Sequence, residues 1–259
     1  NMRRYLLSVM LMFCCCWLQA AEKLTIAAAA DLRFALTDIV TQFKQQHPFA
    51  TVDVVFGASG KLSSQIQHGA PFDIYFAADM QYTQVLAQAG LTATSPQVHA
   101  LGRIVLWSNT VDITTLQLTD LLQQRFKRIA IAQPEHAPYG LRAKQALQAA
   151  GIWPQLQAKI VYGENVAQTA QMVKSGAADI GILALSLSLS PALNHKPYVL
   201  IDDSLHAPLA QGYVVTNQGG RNPLTNPFIA YLQSSKARDI MLSYGFADPH
   251  SVQEARYAP

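Results

Sequence analysis

The chain has 259 residues, half of them hydrophobic, with 19 Lys and Arg against 16 Asp and Glu. Two of the basic residues, Arg3 and Arg4, precede an apolar run; without them 17 basic residues face 16 acidic ones, too even a balance for the concentrated basic surface that nucleic acid binding requires. The three cysteines, Cys14, Cys15 and Cys16, all fall in the same run, so the remainder must be held by its hydrophobic core without disulfides.

Residues 1–21 have the pattern of a secretory signal peptide: a basic start, an apolar stretch over 5–18, then Gln19-Ala20-Ala21 before Glu22. The stretch is too short for a spanning helix, and cleavage is expected after Ala20 or Ala21. Phe13 stands before Cys14 where a lipid anchor needs small residues, which argues against lipidation. The mature protein is therefore expected in the periplasm.

From there strand and helix patterns alternate. A buried strand is expected at 24–29 and a helix at 32–47, with Leu32, Leu36, Ile39, Val40 and Phe43 on one face and Pro48 as its stop. A β-branched strand follows at 51–56, then the turn Gly57-Ala58-Ser59-Gly60, a helix at 61–68, a strand at 72–77 and a helix at 81–89. The pattern continues with a strand at 104–107, a short helix at 119–124, a strand at 128–132, a loop at 134–140 and a helix at 141–150 closed by Gly151. Strands at 159–162, 178–185, 198–201 and 211–216 and helices at 165–175 and 227–244 complete the chain. The tail after Phe246 reads as disordered. Such an alternation predicts an α/β fold with mostly parallel sheets, and two domains with a ligand cleft between them.

No HExxH or GxSxG motif is present. Gly57-Ala58-Ser59-Gly60-Lys61 lacks phosphate-loop spacing, and Leu62 stands where Ser or Thr should follow the Gly-Lys pair. The histidines lack metal-ligand spacing, so no metal ligands are expected. Glu135-His136 reads as a loop hydrogen bond. The tyrosines, which could suggest an iron site, read as packing residues. Asp79 and Asp179 read as turn or capping residues, and Lys61, Arg103 and Arg142 as solvated surface charges, the alternative being a ring that steers anions. The stronger pattern is four helix starts after strands: Ala30-Asp31, Ser59-Gly60, Pro138-Tyr139-Gly140 and Glu164-Asn165-Val166. Each presents backbone N–H groups at the positive end of a helix, a place that favours an anion.

These residues stand in phrases that resemble the periplasmic molybdate-binding proteins of ABC-type importers: AAAADLRFAL, FGASGKLSSQIQHGAPFDIYFAAD at 56–79, IAIAQPEHAPYGLRAKQAL at 129–147, GENVAQTAQMVKSGAADIGILALS at 163–186 and the late YGF at 244–246. The resemblance covers nearly the whole mature chain. It implies a type II periplasmic binding protein fold of two Rossmann-like α/β domains joined by a two-segment hinge. Domain I would comprise 22–101 with 212–259, and domain II 102–211. It further implies a monomer without enzymatic activity or cofactor. That monomer would capture molybdate or tungstate and deliver it to an inner-membrane permease. The oxyanion would be held through hydrogen bonds by Ala30, Asp31, Ser59, Tyr139 and Val166, with hydroxyl and N–H from Ser59 and backbone N–H from Tyr139 and Val166. Phosphate or sulfate is the alternative ligand, and a periplasmic enzyme using Asp31 with His136 the alternative class.

Two positions depart from the family. Ala184 cannot supply the tyrosine hydroxyl that some members donate after the Gly-Ile pair. Asp31 brings a carboxylate to the first turn, where some members have a hydroxyl or amide. The simpler expectation is that Asp31 caps the helix, its carboxylate folded onto N–H groups two or three residues on. The other is that it faces the cleft, where a carboxylate beside an anion requires a proton between them.

Overall fold

The structure, a computed structural model, describes residues 22–193 and 196–249. The signal-peptide expectation for 1–21 and the tail from 250 onward lie outside the described residues. Ala247, expected in that tail, exchanges two backbone hydrogen bonds with Leu101, both 2.9 Å, so the ordered chain runs past Phe246.

The first sheet is built around β1 (Lys23–Ala29), whose LTIAAA run is buried on nearly every residue, as expected of a central strand covered on both faces. A 3-10 turn at Ala30–Leu32 leads into α1 (Arg33–Gln46). Beyond it come β2 (Thr51–Gly57), α2 (Ser59–Gln67), β3 (Ile74–Ala77), α3 (Met80–Gln88) and β4 (Gln97–Gly102). β2 alternates exposed and half-buried residues over its first half, as an edge strand should. The chain then enters the second sheet with β5 (Ile104–Trp107). That sheet adds β6 (Ile129–Ala132), α4 (Pro138–Ala149), α5 (Trp153–Leu156), β7 (Ile160–Gly163), α6 (Val166–Lys174), β8 (Ile180–Ala184), α7 (Leu185–Ser188) and β9 (Tyr198–Leu200). It returns through β10 (Leu209–Val215) and closes with α8 (Thr225–Leu232) and α9 (Ser235–Ser243).

The strand orders are β2-β1-β3-β10-β4 and β7-β6-β8-β5-β9. Each sheet has three parallel strands, then one antiparallel strand, β10 or β5, that arrives from the other part of the chain. The alternation read from the sequence is thus an α/β fold of two mixed sheets, and the chain passes between them twice, at Arg103 and over residues 201–208.

α1 buries Leu36, Ile39, Val40 and Phe43, residues three or four apart on one face. Phe43 meets the rings of Phe228 and Tyr231 edge-on, at 5.2 and 5.9 Å between centroids, which fastens α8 to the first sheet. Burying each such side chain contributes about 1.5–3 kcal/mol. On the other face of this sheet Leu62, Ile66, Tyr75 and Leu86 form a smaller cluster. The core of the second sheet extends to Ala29, Ala30, Ala58 and Ala78 at strand ends of the first, so the sheets meet through small side chains.

Several boundaries differ from the sequence reading. α2 begins at Ser59 and α4 at Pro138, because a proline fits the first turn, where its missing N–H has no partner to lose. The helix expected at 227–244 is two helices, broken where Ser234 accepts the N–H of Ala237 at 3.3 Å and starts α9. The short helix expected at 119–124 is a 3-10 turn at Leu118–Leu122. β4 and α5 carry too little apolar pattern to stand out in the sequence, β4 because it is an edge strand with few buried residues.

Candidate functional site

Ala30, Asp31, Ser59, Tyr139 and Val166 line one small cavity between the sheets, together with Ala58, Ala78, Asn165 and their neighbours. Its free volume is about 10 Å³, close to the least that one water occupies. Larger cavities lie elsewhere among the described residues: one by Gln97 and one by Ser108, neither lined by the residues expected to hold an anion, and one beside Arg33 that Asn165 also borders.

The turns are held rigidly. Ser59 opens α2, its Oγ accepting the N–H of Ala78 at 3.0 Å and its carbonyl accepting the Tyr75 hydroxyl at 2.6 Å. The Ser59 hydroxyl therefore keeps its own proton to donate. Burial pushes Tyr75 well above the usual phenol range, so it stays a donor. At α4, Pro138 has no N–H, and Tyr139 is the first residue that can donate from the backbone. Gly140 follows because a Cβ there would lie 1.9 Å from the carbonyl oxygen of Ala132, so the helix start sits directly on the end of β6. At α6, Asn165 accepts the N–H of Gln168 at 3.0 Å, and Val166, the first residue of the helix, lines the cavity with an N–H that has no place in the helix ladder.

Asp31 is the largest correction. It does not cap: neither the 3-10 turn nor α1 has a side-chain cap. Its carboxylate instead reaches across to the second sheet, where Oδ2 accepts the Tyr139 hydroxyl at 2.8 Å, and the same Oδ2 accepts a short hydrogen bond from Gln211 Nε2 on β10 of its own sheet. Gln211 Nε2 also donates to the Tyr139 hydroxyl oxygen at 3.1 Å. A β-bulge between Gln211 and Gly212 lies at this point in β10; bulges are a common way to re-aim a side chain. Gly102, beside it on β4, leaves the room: a Cβ there would fall 2.2 Å from the Tyr139 hydroxyl. Oδ1 of Asp31 is buried without a hydrogen-bond partner. Burial raises the Asp31 pKa to about 6 against the pull of Gln211, of Tyr139 and, more weakly, of the nearby backbone N–H groups of Asp31 and Leu32. Burial, then the Asp31 charge, raises Tyr139 well above the phenol range, which keeps its hydroxyl protonated.

Around this centre the sheets are tied at four further places. Ser186 on α7 donates to the backbone carbonyl of Asp31 at 2.8 Å, and Gly60 N–H donates to the carbonyl of His136 at 2.8 Å. Lys61 meets Glu164 at 2.5 Å on the exposed rim. Arg142 pairs with Asp79 through a short, largely buried contact and donates to the carbonyl of Pro208 at 3.0 and 3.3 Å. Arg142 is thus no solvated surface charge, as the sequence reading had it. Asp79 does cap α3, accepting the N–H of Gln81 at 2.9 Å, and Asp179 accepts the N–H groups of Lys127 and Arg128. Arg103 pairs with Asp203 at 3.2 Å.

Asp31 and His136 form no hydrogen bond; the carboxylate is committed to Tyr139 and Gln211. Among the described residues no group of three or more His, Cys, Asp or Glu could hold a metal ion, and no helix is long and apolar enough to cross a membrane. Gln211, Gly102 and Ser186 went unnoticed in the sequence as site residues. The one available signal was a lone glutamine opening an otherwise apolar strand at 211–216.

What the cavity offers is a ring of backbone and hydroxyl donors with no cation among its lining residues, suited to a small anion held by hydrogen bonds. A family model for bacterial extracellular solute-binding proteins matches residues 24–247. The molybdate-binding protein ModA of Azotobacter vinelandii is 34% identical over 89% of this chain and 92% of its own. ModA of Escherichia coli K12 is 31% identical over 86% of this chain and 88% of its own. Among solved structures, the periplasmic molybdate-binding protein of Azotobacter vinelandii superposes with a TM-score of 0.82 at 29% identity, covering 87% of this chain and 99% of that one. The fold is therefore the two-domain type II fold that the resemblance implied. The chain belongs to the bacterial extracellular solute-binding proteins, in the family that contains the ModA molybdate-binding proteins.

Proposed function

We propose that this protein captures molybdate or tungstate between its two sheets and delivers it to an ABC permease, acting in the periplasm as a monomer without a cofactor. One observation carries the reading: four helix-start turns, two from each sheet, converge on a single cavity lined by hydrogen-bond donors and free of cations. Relatives that bear the name molybdate-binding protein along nearly their whole length support the choice of ligand.

In this reading Ala30, Asp31, Ser59, Tyr139 and Val166 surround the oxyanion. The bodies that close on it are the two expected from the sequence, 22–101 with 212–259 and 102–211, except that Gly102 and Leu209–Gln211 stand in strands of the first sheet. Ligand binding to one body recruits the donors of the other, expels water and selects the closed form. The ties through Arg142, Lys61, Ser186 and Gly60 belong to that closed form. The unpaired Asp79, Glu164 and Asp31 carboxylates of an open form would be free to hydrate.

Titration calorimetry with molybdate, tungstate, sulfate and phosphate at neutral pH tests this. Tight binding of the first two with little heat from the others supports it. Tight binding of sulfate or phosphate alone replaces the ligand. Turnover of a small anionic substrate would replace the class.

A further inference from the structure

The molybdate reading leaves one feature of the cavity unexplained. An acidic side chain lines a site built to hold an anion. Asp31 is 1% exposed. Its Oδ2 is occupied by Tyr139 and Gln211, whereas Oδ1 is buried with no partner. A bare carboxylate in contact with a dianion is repulsive, and the low-polarity surroundings strengthen that repulsion. A carboxyl group that carries a proton is instead one more donor.

We propose that Asp31 determines what the site accepts by holding a proton on Oδ1 against the bound oxyanion, so that each fully ionised oxyanion enters together with one proton. The inference rests on the oxyanion reading of the cavity and names the ligand class more narrowly: an oxyanion plus one proton, the proton residing on Asp31 for molybdate, or arriving with the ligand in hydrogen phosphate.

The surroundings agree. From α4, Tyr139 faces Asp31 as a neutral hydroxyl, and Arg142 one turn on is taken by Asp79. From β10 comes the neutral Gln211, and from α7 the Ser186 hydroxyl, which is spent on the Asp31 carbonyl. On α1, Arg33 lies over the ring of Phe56, and Asp38 accepts the Tyr244 hydroxyl. On β2, Asp53 is paired with Lys23; on α2, Lys61 is paired with Glu164. The lining residue from α6 is Val166, and its charged Lys174 sits in the last turn, at the opposite end of that helix. Among the described residues, none of the cavity's lining residues is a cation that could neutralise a charged Asp31 beside an anion. Burial already raises its pKa to about 6 in the closed protein, and the negative charge of a bound oxyanion beside it acts in the same direction, favouring the protonated form.

Calorimetry of sodium molybdate into the intact mature protein, in two buffers of different ionisation enthalpy, counts the protons taken up. The expected result at about pH 7.5 is close to one proton per molybdate, with affinity weakening about tenfold for each pH unit above neutrality. Asp31→Asn keeps an acceptor for Tyr139 and Gln211 and offers an N–H₂ where the proton stood. It should take up no proton and bind with a pH-independent affinity. Infrared difference spectra should show a protonated-carboxyl C=O band on binding, absent in Asp31→Asn. Molybdate binding with no proton uptake, or uptake that persists in Asp31→Asn, overturns the inference and leaves the oxyanion reading standing. No binding of any oxyanion overturns both.

Discussion

The hydroxyl of Tyr139 donates to Oδ2 of Asp31 across 2.8 Å, joining the start of a helix on the second sheet to the first strand–helix turn of the other. Both groups are almost fully buried, and the bond runs to a carboxylate, so it belongs to the stronger class of hydrogen bonds, about 1.5–3 kcal/mol.

Tyr139→Phe removes that bond and leaves the backbone N–H of residue 139 in place. The liganded closed form, in which Asp31 holds a proton, should lose about 0.5–1.5 kcal/mol, so oxyanion affinity should fall about 2- to 10-fold without being abolished. Titration of the variant checks this; unchanged affinity would show that the bond is idle in closure.

Asp79→Asn separates capping from charge pairing. Asn still caps α3 through the Gln81 N–H, but Arg142, buried to 7% side-chain exposure, loses its counter-charge. Breaking a buried pair this way costs about 3–5 kcal/mol. Urea unfolding should show a loss toward the lower end of that range, and the Asp79→Asn/Arg142→Gln double variant should regain part of it.

The pH dependence of stability has two opposed contributions. Asp31 has a pKa raised to about 6, so between the ordinary carboxylate range and about 6 the folded protein holds more protons than the unfolded chain. Stability from this group is present at low pH and is lost as pH rises to about 6, at most about 3 kcal/mol. His99 has its pKa lowered by burial to about 4, packed edge-on to Phe76 and Tyr213. Its neutral form is the one that folds, so over about 4 to 6.5 its contribution grows as pH rises. Asp31→Asn should therefore be more stable than the wild type at neutral pH, with stability that climbs more steeply through this window. Denaturation at a series of pH values reads it; parallel curves would place the Asp31 carboxyl in water.

Much of this was visible in the sequence, for physical reasons that differ from residue to residue. The apolar run of β1, the spacing of Leu36, Ile39 and Phe43, and the glycines that end helices are local signals, and they yielded the α/β alternation. The four helix starts were legible because small residues after a strand are themselves local. The role of Asp31 was not, because a capping aspartate and one reaching a tyrosine 108 positions later look alike in a string of letters. Gln211 and Gly102 matter only through what folding places beside them. Arg142 looked like any helix-surface cation until Asp79 and the Pro208 carbonyl closed over it.

The central claim is that backbone N–H groups at helix starts hold the anion. Val166→Pro tests it most directly, since Val166 is the first residue of α6. Proline is accommodated at that position, and the extended Asn165 before it already has the backbone that a following proline requires. The substitution deletes one N–H and exchanges a buried apolar side chain for another of similar size. Calorimetric titration of molybdate should show affinity weakened about 10- to 100-fold, with thermal stability of the unliganded protein nearly unchanged. Molybdate affinity equal to that of the wild type would contradict the account.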